Sequence, residues 1–160
     1  METRGVAQTK TRRSSPFKKR AKMSNTNITT VKEFLEWSIE SLKQGGVPHS
    51  GVNGYFCLMD FVLQHGREWQ PGKVCWAKGK QACFIHAGKA ALRNRAYTYV
   101  EGYACMVIPV AHAWLVDKDG LVIETTWEKM GSSYYGIPFR TDYIRSQFKK
   151  NGHYCMIDQW

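Results

Sequence analysis

From Thr30 onward, Val31, Phe34, Leu35, Ser38 and Leu42 fall on one stripe at helical spacing, with charged residues between them. Thr30-Val31-Lys32-Glu33 has the spacing of a capping box, and Gly45-Gly46 marks the end, so the pattern predicts a first helix across this stretch. Residues 55–64 form a nearly unbroken apolar run suited to a buried helix that stops at Gly66. Residues 67–79 carry Pro71-Gly72 and two tryptophans, Trp69 and Trp76, and read as a loop. Ala87, Ala90, Ala91 and Leu92 favour a helix, which places Cys83 in its first turn.

Beyond Arg95 the period changes to that of strands, over Tyr97–Met106, His112–Asp117 and Leu121–Trp127. Lys118-Asp119-Gly120 is the turn between the last two. A two-residue loop would pair His112 with Trp127 and turn Glu124 to the opposite face. A three-residue loop with Gly120 left-handed pairs His112 with Thr126 and leaves Glu124 diagonal to His112 on the same face. The glycine favours the second register. A short polar helix follows over Thr141–Lys150, ended by Gly152, and residues 153–160 suit a final strand.

At 160 residues, with 43% hydrophobic side chains, the chain is long enough to bury a core without disulfide staples. The expected organisation is a basic disordered tail over residues 1–27 and one α+β domain over 28–160. Residues 1–22 hold eight Lys/Arg against Glu2, a net +7, so only +3 of the overall +10 belongs to the rest. That tail is a candidate for weak contact with nucleic acid or an acidic surface, but a merely solvated tail, or a segment left by a start upstream of Met23, is the leading reading. No apolar run suits a membrane span, and the N-terminus lacks the apolar stretch of a signal peptide. Five cysteines at irregular spacing, with no Cys-x-x-Cys pair, favour free thiols in a reducing cytoplasm.

Those thiols matter once one of them is set beside His112 and Glu124. A cysteine attacks only as thiolate; an imidazole generates the thiolate at neutral pH, and a carboxylate orients the imidazole. Cys83, at a helix start where free amides favour an anion, is the candidate nucleophile, His112 the base and Glu124 the orienting acid. Gln81 is a candidate oxyanion donor, together with the Cys83 amide. Trp76, His86, Trp114, Trp127 and Tyr135 are candidates for the walls of a substrate cleft. The bland alternatives are a buried structural cysteine, an edge histidine and aromatic core residues. A zinc site from Cys83, His86, His112 and Glu124 lacks a close ligand pair, and no metal or other cofactor is expected.

Cys83-Phe84, then Tyr99-Val100-Glu101-Gly102-Tyr103, then His112-Ala113-Trp114, then Glu124-Thr125-Thr126-Trp127 together resemble the transglutaminase-like group of papain-type cysteine enzymes. The resemblance covers about residues 79–139. It implies a Cys-bearing helix packed on an antiparallel sheet that carries His112 and Glu124. It also implies acyl transfer through a covalent acyl-enzyme: amide hydrolysis, deamidation or transamidation on a protein or peptide substrate. Glu124 stands where the group usually has Asp. The alternative is a catalytically silent binding or inhibitory protein on the same fold. Such a protein could be a viral or mobile-element product acting on a host component in the host cytoplasm.

Overall fold

In the computed structural model, residues 28–47, 54–75 and 82–157 are described. They form four helices and five strands: α1 (Val31–Gln44), α2 (Leu58–His65), β1 (Arg67–Val74), α3 (Cys83–Arg93), β2 (Thr98–Cys105), β3 (Pro109–Val116), β4 (Leu121–Glu124), β5 (Ser133–Phe139) and α4 (Thr141–Asn151). The chain is therefore α+β, and its strands close into a barrel in the order β1-β4-β3-β2-β5. Every ladder is antiparallel except β1–β4, which is parallel, so the sheet is mixed and not antiparallel throughout as the sequence resemblance implied. Among the described residues no helix is long and apolar enough to cross a membrane.

α1 starts where the capping box places it. The Thr30 hydroxyl accepts from the Glu33 amide, and the Glu33 carboxylate accepts from the Thr30 amide. Val31, Leu35 and Ile39 are buried along its inner face, which packs with α2 and the outer face of β5. α2 begins three residues later than the apolar run suggested and is only half-sunk, with Val62 alone fully buried.

The stretch after Gly66 corrects the loop expectation, because Arg67–Val74 is a strand. It carries Pro71-Gly72 by shifting register between Pro71 and Lys73. Only Trp69 on it is buried, so its pattern is not the alternation that marks a strand. β5 was likewise not anticipated as a strand. Its Gly136 lies opposite Gly102 of β2, and a Cβ on Gly102 would sit 2.2 Å from the Tyr135 carbonyl oxygen. Two glycines face to face let β2 and β5 approach where side chains would hold them apart.

Residues 153–157 are not the expected strand. They run beside α3 and β2, and the Met156 and Ile157 amides are taken by the Glu101 carboxylate at 2.6 and 2.9 Å instead of by a strand partner. Residues 158–160 lie outside the described residues, as do 1–27 with the basic tail.

Alternation along the strands sorts the core into layers. Trp69, Val100, Ala104, Trp114, Val116, Val122 and Tyr134 fill the barrel. Ala113, Leu115 and Ile123 point outward beneath α3, where Ala87 and Ala91 keep the helix surface flat enough for close packing. Gly88 on the same helix seats the Tyr154 ring, since a Cβ there would meet it at 2.2 Å. The position of Cys83 relative to the sheet follows from this contact.

Candidate functional site

α3 begins at Cys83 without a side-chain cap, because Ala82 has nothing to offer the first-turn amides. The Phe84 amide of that turn and the Ala113 amide of β3 both act on the thiol and favour its anion. The side chain is 9% exposed, which leaves the sulfur at the surface of the site and not in solvent.

His112 lies on the barrel-facing side of β3, two residues before Trp114. Its position relative to Glu124 is set by the β3–β4 turn. Leu115 pairs with Ile123 and Val116 with Val122, and Gly120 has φ +80°. This is the three-residue loop, and the same register carried on sets His112 opposite Thr126, with Glu124 diagonal on the same face. Nε2 of His112 is 3.0 and 3.2 Å from the two Glu124 oxygens, which leaves Nδ1 as the ring nitrogen open to the Cys83 thiol, and the thiol lies close enough for the imidazole to lower it. The three residues thus form one chain of contacts, thiol to imidazole to carboxylate.

β4 stops at Glu124, three residues short of the expected strand, for a local reason. The Glu124 carboxylate accepts the backbone amides of Thr126 at 2.8 Å and Trp127 at 3.1 Å, which turns the chain out of the ladder. Tyr134 donates to the other oxygen at 3.2 Å, and its hydroxyl in turn accepts the Gly131 amide at 2.7 Å. Glu124 is fully buried, so these donors do what water would do elsewhere. Because β4 ends here, the rim of the barrel is open and the start of α3 can bring Cys83 to His112.

The electrostatics follow from the same contacts. Burial pushes the Cys83 thiol up, but the His112 hydrogen bond and charge, with the Ala113 and Phe84 amides, outweigh it and the thiol is held below its ordinary range. Burial pushes His112 down, and its bonds to Cys83 and Glu124 outweigh that, raising it to about 9. Glu124 ends below the usual carboxylate range: burial opposes ionisation, but His112 and the two amides overcome it. The arrangement favours a thiolate beside an imidazolium, with a carboxylate behind it.

Trp127 stacks on His112, with ring centroids 4.0 Å apart. Half-buried, it covers one face of the imidazole. Three other wall candidates are placed elsewhere. Trp114 is wholly inside the barrel, because alternation turns it inward with Val116. Tyr135 is buried on the outer face of β5 against α1 and α2, its hydroxyl donating to the Leu63 carbonyl at 3.0 Å. His86, one turn after Cys83, lines a cavity on the other side of the β3–β4 pair. Gln81 and Trp76 lie outside the described residues.

Tyr134 is the member that sequence reasoning missed as a ligand of Glu124. A tyrosine in a Tyr-Tyr-Gly run reads as core, and only the closure of β5 into the barrel brings its hydroxyl to the carboxylate. All five cysteines are free thiols, and among the described residues no group of three or more metal-type ligands gathers. No family model, curated protein or solved structure matches the chain.

Proposed function

We propose that the chain is a thiol acyl-transfer enzyme of the transglutaminase-like, papain-type group, acting on protein or peptide amides. The observation that carries this reading is the contact chain from the Cys83 thiol through His112 to Glu124, with the last link at 3.0 Å and both members of that link buried. A buried carboxylate with four hydrogen-bond donors and a lowered thiol are costly to assemble, and a structural cysteine has no use for them. The α+β layout, with the Cys-bearing helix laid on a barrel whose rim carries the other two, agrees with the short motifs from which the resemblance was read.

In the proposed reaction the Cys83 thiolate adds to the carbonyl carbon, and the oxyanion forms near the first-turn amides of α3. Collapse breaks the carbon–nitrogen bond while His112 gives its Nδ1 proton to the departing amine. Water or a second amine then adds to the thioester, His112 takes the proton, and the thiolate leaves. Glu124 holds Nε2–H throughout, so the ring presents Nδ1 to the sulfur and to the leaving group.

The test is the pH dependence of Cys83 alkylation, with the modified residue mapped, in wild type and His112→Ala. Rapid labelling well below pH 8 that slows in the variant is the expected result. Labelling at the rate of an ordinary thiol in both proteins overturns the reading.

A further inference from the structure

We propose that the cavity between α3 and the β3–β4 pair is a second site, which binds a small anion with an apolar body. It has a volume of about 490 Å³. Sites for small organic ligands fall in that size range, on the order of 300–1,000 Å³. Strand alternation separates it from the thiol site. Leu115, Ile123 and Thr125 turn toward the cavity, whereas His112 and Glu124 turn the other way. The two sites share α3, β3 and β4 but use opposite faces of the strands.

The walls have a polarity that selects a ligand. Leu115, Ile123 and Ala90 give an apolar floor. His86, Lys89 and Arg93 stand over it from α3 at helical spacing, so all three lie along one side of the opening. No Asp or Glu is found among the described lining residues, and Lys89 and Arg93 enter no ion pair among the described residues. Two cations over an apolar floor, with no internal acid to neutralise them, are complementary to an anionic head on a hydrocarbon or aromatic body. The guanidinium fork of Arg93 suits a planar or tetrahedral oxyanion, and the Lys89 ammonium adds a movable charge. Thr125, 7% exposed, adds a wall hydroxyl that has no hydrogen-bond partner among the described residues. The acyl-transfer reading uses none of these residues, so the two proposals stand or fall separately.

The experiment is a fluorescence titration of the whole chain with anilinonaphthalene sulfonate and with phenylnaphthylamine, the same ring systems without the sulfonate. Saturable binding of the sulfonate at one site per chain is expected, weakening as salt is added. Lys89→Gln combined with Arg93→Gln is expected to weaken the sulfonate at least about tenfold and leave the neutral compound unchanged. Both residues are exposed, so the substitutions leave the packing intact. Ala90→Phe, which fills the floor, is expected to weaken both compounds. Cys83→Ala is expected to bind like wild type. Equal sulfonate affinity in wild type and the double variant overturns the proposal, and so does the absence of saturable binding to wild type.

Discussion

Trp127 lies flat on His112, with ring planes 8° from parallel and centroids 4.0 Å apart. The same residue gives its backbone amide to Glu124 at 3.1 Å, so one side chain and one amide cover both ends of the imidazole–carboxylate link. An aromatic face over an imidazolium is favourable by about 0.5–2 kcal/mol, more when water is excluded. Trp127→Ala removes the face and keeps the amide. Imidazolium and thiolate are then less stable together, and Cys83 alkylation at pH 6 is expected to slow roughly three- to tenfold. The comparison of labelling rates in wild type and Trp127→Ala checks this. A variant that labels at the wild-type rate would show that the stacking only fills space.

The proton inventory of the pair can be read directly. An isolated imidazole loses its proton near 6.5 and an isolated thiol near 9.0, so histidine normally titrates first. In the folded chain the thiol is lowered and His112 is raised to about 9, which reverses the order. As pH rises, Cys83 gives up its proton first, and the imidazolium persists until about 9. Thiolate absorbance, taken as wild type minus Cys83→Ala, is expected to appear while the nitrogen resonances of His112 still report a doubly protonated ring. The pair titrates as a unit, so each signal carries a small inflection at the other's transition. An imidazole that deprotonates before the thiolate appears would contradict the geometry.

How much of this was legible in the sequence depended on whether a local rule was enough. The register of His112 and Glu124 was legible because Gly120, after Lys118-Asp119, supplies the left-handed turn residue that a three-residue loop requires. The Cys83 helix start was legible from the small helix formers that follow it. β1 was not, because Pro71 and Gly72 break the alternation and only closure of the barrel pairs both its edges. The C-terminal segment looked like a strand because it is apolar and short, but Glu101 supplies the acceptors a strand neighbour would have supplied. Trp114 is a cleft-wall candidate only because a thiol site needs apolar walls; which face it takes is decided by closure of the barrel, whose interior claims it. Where a long-range partner decided the outcome, periodicity alone was silent.

Glu124 has two jobs, holding Nε2 of His112 and capping the amides of Thr126 and Trp127. Glu124→Gln keeps the size and removes the charge. His112 then loses the acid that helps raise it, and the thiolate fraction at neutral pH falls. Hydrogen bonds to charged groups are worth about 1.5–3 kcal/mol, so alkylation at pH 6 is expected to slow by roughly ten- to a hundredfold. Glu124→Asp keeps the charge on a shorter stem, which cannot span the diagonal to His112 while its oxygens still cap the turn. A rate between those of wild type and Glu124→Gln is expected. An aspartate variant as slow as the glutamine variant would mean that reach, not charge, dominates.

Glu101 performs a similar task on the opposite face of the sheet, the face that α3 covers. It is 1% exposed, and it accepts the Tyr99 hydroxyl at 2.5 Å as well as the Met156 and Ile157 amides. It therefore ties residues 154–157 to β2 across a separation of more than fifty positions, and with them the Tyr154 ring that packs on Gly88 of α3. Burying a carboxylate is costly unless its lone pairs are met, and these donors meet them. Glu101→Gln replaces one acceptor oxygen with an NH₂ group that faces donors. The expected loss is roughly 3–5 kcal/mol of stability by urea unfolding, the range for breaking a buried charged network. The loss should be local first: amide exchange at Met156 and Ile157 is expected to rise well before exchange in β3. Because Tyr154 leans on α3, the helix start should also loosen, and Cys83 alkylation should become less pH-selective without any change at His112 or Glu124. Uniform acceleration of exchange across all strands would instead mean that Glu101 serves the whole barrel and not the clasp alone.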